Sequence, residues 1–138
     1  MLFICGYNSF RSQVAEAILN KKYGNLFEAE SAGFKMKEIN PLAIEVMKEY
    51  GVDISNNSVD RAFDFYNEGR KYQYVITACN REYEADCPVF PGLVTRFHWD
   101  DFDNPEDFSG TDEEKLKKAR RLRDKIEQRI EEFVKISK

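Results

Sequence analysis

The sequence predicts an α/β fold: a single-domain four-stranded parallel sheet with helices on both faces and an anion-binding loop after the first strand. Three observations carry that reading. Short apolar runs alternate with stretches of helical periodicity, joined by short links, which is the pattern of a parallel sheet covered on both sides. The 138 residues suffice for one core but not two, so one domain over 1–138 is expected. Cys5, Cys79 and the acidic turn after Trp99 all follow apolar runs. Ligands of such sheets bind outside the carboxyl ends of the strands, where these residues would gather.

Taken in order, Leu2 to Cys5 reads as a buried strand. Ser12 to about Tyr23 reads as a helix with Val14, Ala17 and Ile18 toward the core, ended by Gly24-Asn25. Phe27 to Ser31 is a second strand, closed by Ala32-Gly33. Asn40 caps a helix with Pro41 in its first turn, carrying Leu42, Ile44, Val46 and Met47 and stopping near Gly51. Asp53-Ile54-Ser55 opens a polar connection, and Val59 to about Tyr66 reads as a short helix. Tyr74 to Ala78 is the cleanest strand and ends at Cys79, while Val94 to Trp99 is another, ending in the turn Asp100 to Pro105. The last helix, from about Asp112 to Val134, sets Leu116, Ala119, Leu122, Ile126, Ile130 and Phe133 at three- and four-residue steps, a core stripe.

Composition narrows the function. The net charge of −4 is mild, and no single-sign tract suggests nucleic acid. Lys115, Lys117, Lys118, Arg120 and Arg121 are basic only locally. Acidic Asp112 to Glu114 precede them, which suits a helix dipole and a solvated face. The N-terminal apolar run is too short for a secretory signal, and no stretch is long enough to span a membrane. Nucleic acid and membrane are therefore not expected partners. Three cysteines, odd in number and far apart, do not resemble a secreted disulfide framework. The expectation is a cytoplasmic, reducing environment and a monomer.

The chemistry concentrates between Cys5 and Arg11. A strand ending in a thiol, then Gly6, Tyr7, Asn8, Ser9 and Phe10, then a helix start, directs successive backbone N–H groups at one point. The helix N-terminus adds its positive end there, which favours an oxyanion and a thiolate alike. Arg11 supplies a planar fork for two oxygens of a tetrahedral anion. Asn8 tolerates the left-handed backbone that such a loop requires, and Ser12 lies within reach of the thiolate.

Downstream, Cys79 and Cys87 flank seven charge-rich residues ahead of Pro88. Zinc is rejected, since two thiols need two further ligands and the sole histidine, His98, sits in a strand pattern beside Trp99. His98 is expected to pack its ring. A redox pair on a polar loop and two unrelated thiols fit the segment equally well. Asp100, Asp101 and Asp103 form an exposed acidic turn that could bind a cation, but with no paired ligand motif the stronger reading is one carboxylate facing Cys5 as a general acid.

Taken together, these residues resemble a known family. The run from Cys5 to Glu16, Cys-Gly-Tyr-Asn-Ser-Phe-Arg-Ser-Gln-Val-Ala-Glu, is similar to the Cys-Thr-Gly-Asn-Ser-Cys-Arg-Ser-Gln-Met-Ala-Glu loop of the low-molecular-weight protein tyrosine phosphatase superfamily. Ser31-Ala-Gly33, the Asn40-Pro41 helix start, Asp53-Ile-Ser55, Val75 to Cys79, Cys87-Pro88 and His98-Trp99 resemble its thioredoxin-coupled arsenate reductase branch. The resemblance implies an arsenate reductase. Cys5 would attack arsenate held by Arg11 and the N–H groups of Gly6, Tyr7, Asn8, Ser9 and Phe10, with Ser12 stabilising the thiolate. Cys79 and then Cys87 would relay a disulfide to an external, thioredoxin-type thiol reductant. It also implies an optional potassium ion at Asn8, Glu16, Ser31, Ser58 and Asp60, residues that equally suit caps and turns; no cofactor is required.

The chain departs from the family pattern in its Gly6-Tyr7 pair, in a cysteine spacing longer by one, and in Asn104 where the family's acid is Asp. Asp103 is the expected substitute, with Asp101 near. Phe10 replaces a second loop cysteine and Glu106-Asp107 replace an aromatic pair, both against the phosphatase branch. The rivals are a phosphatase acting on aryl phosphates and a low-turnover oxyanion-binding or redox-sensing protein.

Overall fold

The computed structural model describes residues 1–78, 90, 92–99 and 102–137. Cys79, Cys87, Asp100 and Asp101 lie outside the described residues. The strands are β1 (Leu2–Cys5), β2 (Glu30–Gly33), β3 (Tyr74–Thr77) and β4 (Thr95–His98). The helices are α1 (Arg11–Tyr23), α2 (Pro41–Glu49), α3 (Ala62–Asn67) and α4 (Asp112–Ser137), with a 3-10 turn at Pro105–Asp107. All pairings are parallel in the order β2-β1-β3-β4, so the expected sheet is the observed one.

Alternation along the strands divides the core. Phe3 and Ile76 face α1, α2 and α4, packing with Val14, Ile18, Met47, Ile126 and Ile130. Leu2, Ile4 and Val75 face the other side, where Ala62 and Phe65 of α3 join Tyr72 and Phe90. The stripe on α4 is buried at Ala119, Leu122, Ile126, Ile130 and Phe133. No helix among the described residues is long and apolar enough to cross a membrane.

Four boundaries differ from the sequence reading, and at two of them a side chain or neighbouring strand claims the backbone. The second strand begins at Glu30 rather than Phe27. The Asn20 carboxamide takes both the Ala29 N–H (2.9 Å) and the Ala29 carbonyl (3.1 Å), so the ladder opens with the Glu30 N–H donating to Met1 O. Gly33 belongs to this strand instead of closing it. The short helix begins at Ala62 rather than Val59. Ahead of it the Asp60 N–H donates to Asn8, the Gly33 N–H donates to Asp60 O, and Arg61 bridges Gly33, which holds the chain extended. The third strand ends at Thr77, although the Ala78 N–H still reaches Ile4 O at 2.7 Å.

Candidate active site

Residues 6–10 form the loop between the end of β1 and the start of α1. Asn8 carries φ 54, the only non-glycine positive φ among the described residues, as the loop reading expected. The segment after β2 clamps this loop by its carbonyls. Phe34, Lys35, Lys37 and Asn40 donate their N–H groups to the carbonyls of Cys5 (3.2 Å), Gly6 (3.0 Å), Tyr7 (3.3 Å) and Ser9 (3.0 Å). The N–H groups of Gly6 to Phe10 donate to no backbone carbonyl among the described residues. Phe10 begins α1 without a side-chain cap, so the helix N-terminus keeps its free donors as well. A loop whose acceptors are satisfied and whose donors are not is an anion cradle.

The cleft at this cradle is lined by Cys5, Tyr7, Ser9, Phe10, Arg11, Asn40, Asn104 and Pro105. Cys5 is buried as the last residue of β1 and is a free thiol. Arg11 is also buried, and its Nη1 has no hydrogen-bond partner among the described residues. A buried guanidinium nitrogen without a partner is costly unless an anion completes it.

A buried hydrogen-bond chain leads to Cys5. The Asp60 N–H donates to Asn8 Oδ1 at 3.0 Å, which sets the orientation of that carboxamide. Asn8 Nδ2 therefore faces and donates to Ser12 Oγ at 2.8 Å. Ser12 Oγ lies 2.9 Å from Cys5 Sγ; a thiolate can only accept, so in the ionised form the hydroxyl donates to the sulfur and favours the anion. Gln13 steadies Asn8 from the other side, donating to Asn8 Oδ1 (3.2 Å) and Ser58 O (2.9 Å) while accepting from Asn57 Nδ2 (3.2 Å).

Of the five residues expected to hold potassium, Glu16, Ser31, Ser58 and Asp60 line one cavity of about 330 Å³ together with Glu30, Asn57, Phe65 and Arg70. Asn8 is not among the lining residues. Ser31 Oγ donates to Glu16 (2.7 Å) and Ser58 Oγ to Asp60 (2.7 Å), leaving hydroxyl lone pairs and carboxylate oxygens as a hard, oxygen-rich set. Burial holds the Glu16 carboxyl above its ordinary value; the Ser31 hydrogen bond opposes this, and Glu30 and Asp60 add repulsion. Arg70, paired with Glu30 and Glu68, is the cation already at this cavity. Among the described residues no three His, Cys, Asp or Glu converge as a metal cluster.

The acidic turn differs from the sequence reading. Trp99 packs on Phe3 (centroids 5.9 Å) and Phe102 on Trp99 (6.0 Å), which anchors the turn beside β1. Burying Phe102 sends Asp103 outward, where it is exposed and lines a neighbouring cavity with Asp107, Phe108, Lys118 and Arg121. Asn104 borders that cavity too, and with Pro105 it also lines the Cys5 cleft. Asp103, expected to face the thiol, is not among the described residues that line the Cys5 cleft; Asn104 is. His98 ends β4 opposite Thr77, its two ring nitrogens buried and without a hydrogen-bond partner among the described residues.

The profile of the family described as low molecular weight phosphotyrosine protein phosphatase matches residues 1–138. The chain belongs to the low molecular weight phosphotyrosine protein phosphatase family. Within it, the chain is 39% identical over 136 residues to an arsenate reductase of Halalkalibacterium halodurans, covering 99% of this chain and 95% of that one. A solved arsenate reductase in its phosphate-binding state is similar with a TM-score of 0.74 and 27% identity, over 96% of this chain and 94% of that one. A thioredoxin-dependent arsenate reductase of Corynebacterium glutamicum gives a TM-score of 0.72 and 30% identity, over 97% of this chain and 59% of that longer one.

Sequence reasoning missed three parts of this family site. Gly33 was read as closing a strand, yet a Cβ there would lie 2.6 Å from Asn8 N, 2.6 Å from Lys35 O and 2.7 Å from Tyr7 C. Only glycine lets β2 approach the loop so closely. Asn40 was read as a cap, which it is, accepting from the Leu42 N–H at 2.9 Å; it also lines the cleft. Gln13 carried no signal beyond being polar on a buried helix turn.

Proposed function

We propose that this protein reduces arsenate to arsenite. The observation that carries the reading is the Cys5 thiol, held by Ser12 at the base of a donor-lined cradle beside the unpartnered nitrogen of Arg11. Likeness to full-length arsenate reductases selects the oxyanion. The Cys5 thiolate attacks arsenic, forming an S–As bond as one oxygen leaves in water. The backbone N–H groups of Gly6 to Phe10 and the Arg11 guanidinium bind the remaining oxygens. Cys79 then attacks Cys5 sulfur. The electron pair of the S–As bond stays with arsenic, which departs as arsenite, and a Cys5–Cys79 disulfide remains. Cys87 attacks Cys79, freeing Cys5, and a thioredoxin-type dithiol reduces the Cys79–Cys87 disulfide. A hard monovalent ion such as potassium would be held by Glu16, Ser31, Ser58 and Asp60, where its charge would offset carboxylate repulsion behind the loop.

The second reading, hydrolysis of aryl phosphates, is favoured by the family description, since one cradle serves phosphate and arsenate alike. One experiment separates them: arsenate-dependent consumption of NADPH through thioredoxin and its reductase, beside hydrolysis of p-nitrophenyl phosphate. Reduction is expected, and Cys87→Ser is expected to trap a Cys5–Cys79 disulfide after arsenate while sparing ester hydrolysis. Ester hydrolysis without arsenate-dependent oxidation would overturn the reductase reading.

A further inference from the structure

The rim of the cradle has an unusual composition for a site that cleaves esters. Two carboxamides, Asn40 and Asn104, line it with Pro105, and no carboxyl or imidazole is among the described lining residues. Asp103, the described carboxylate of the turn, lines the adjoining cavity that Asn104 shares and not the cleft. This position is built, not incidental: Pro105 is buried, Asn104 O accepts from the Asp107 N–H at 3.0 Å, and the Trp99–Phe102 pair fixes the turn from below.

Proton balance turns this into a statement about substrate. When a thiolate displaces an alkoxide or phenoxide from a phosphate ester dianion, neither the departing oxygen nor a sister oxygen carries a hydrogen, so a poor leaving group needs a general acid to supply one. When a thiolate attacks dihydrogen arsenate, the departing hydroxyl takes its second hydrogen from a sister hydroxyl and leaves as water. The thiolate and the monoanion give a dianionic S–As adduct and water, with no proton from the protein. An amide rim can donate hydrogen bonds to such an anion but cannot protonate an ester oxygen.

We propose that Asn104 is a specificity-determining residue that restricts this cradle to free inorganic oxyanions and excludes phosphate esters with poor leaving groups. The inference rests on the reductase reading of the same site and names its substrate class. The test uses the full chain and two esters. The wild type is expected to cleave p-nitrophenyl phosphate, whose leaving group barely needs a proton, at least 100-fold faster than phenyl phosphate. Asn104→Asp should raise phenyl phosphate turnover by about 100-fold. It should raise p-nitrophenyl phosphate far less, and add a limb to the phenyl phosphate pH profile that falls as the new carboxyl ionises.

Comparable wild-type rates on both esters would reveal an acid supplied by Asp100 or Asp101 and overturn the proposal. So would a folded Asn104→Asp that protects Cys5 with phosphate as the wild type does, yet stays silent on phenyl phosphate. Should Asn104→Asp not fold, the wild-type leaving-group ratio, repeated in Asn104→Ala, decides alone. Loss of arsenate-dependent NADPH oxidation would sink the reductase reading but leave these ester ratios as measured, so the two failures are distinguishable.

Discussion

The cleft at Cys5 and the cavity at Glu16 are linked through Asn8 and its partners, yet one gathers donors and the other acceptors. Asn8 Nδ2 serves the first through Ser12, and its Oδ1 binds the Asp60 backbone and Gln13 beside the second. On the thiol side, the carbonyls of Cys5, Gly6, Tyr7 and Ser9 are taken by residues 34–40, while the N–H groups of Gly6 to Phe10 donate to no backbone carbonyl among the described residues. On the carboxylate side, serine hydroxyls donate to Glu16 and Asp60. The difference teaches that a single carboxamide, oriented by one backbone N–H, can join two sites of opposite character.

The strongest way to break this comparison is at the sulfur. Cys5→Ser should reduce both arsenate reduction and ester turnover by roughly 10⁴-fold or more, because the nucleophile and its Ser12 partner act as a unit. Phosphate should still protect Arg11-dependent binding in that variant, measured by thermal shift. A variant that retains turnover would transfer the nucleophile to another thiol.

Gly33→Ala should injure both sites at once. The added methyl meets backbone atoms of Tyr7, Asn8 and Lys35, which cannot swing aside as a side chain would. A loss of about 1–3 kcal/mol in urea unfolding is expected, together with weaker phosphate protection. Unchanged stability would mean that the loop is not pinned by β2.

Ser12→Ala should sharpen the role of the donor chain. It removes the hydrogen bond to Cys5 Sγ and strands Asn8 Nδ2. Hydrogen bonds to charged groups contribute about 1.5–3 kcal/mol, so alkylation of Cys5 by iodoacetamide near pH 6 should slow about tenfold. Equal rates would show that Ser12 acts only in packing.

The smallest effect is expected at Glu16. Its carboxyl is held above the ordinary value of 4.5 chiefly by burial, so the folded chain keeps that proton to higher pH than the unfolded chain. Stability from this group therefore falls as pH rises from 4.5 through the raised value, and is level above it. Glu16→Gln should remove that fall. It should match the wild type near pH 4 and exceed it near pH 7, read from urea midpoints. Added potassium should stabilise the wild type and not Glu16→Gln if the cavity holds that ion.

Local chemistry was legible in the sequence because it depends on neighbours in the chain. The loop from Cys5 to Arg11, the left-handed Asn8, the Asn40 cap with Pro41, and the stripe on α4 each rest on contacts within a few residues. The parallel sheet followed from the alternation of apolar runs and helices. What tertiary structure alone decided are the contacts that join distant segments. Whether Asp103 or Asn104 faces Cys5 depends on Phe102 packing against Trp99, and that on Trp99 packing against Phe3. The extended stretch before α3 depends on Asn8 and Gly33 claiming the Asp60 backbone. The need for glycine at 33 comes from an approach of β2 to the loop that no local pattern encodes. Propensity and spacing fix which groups a segment offers; only packing fixes which of them share a cavity.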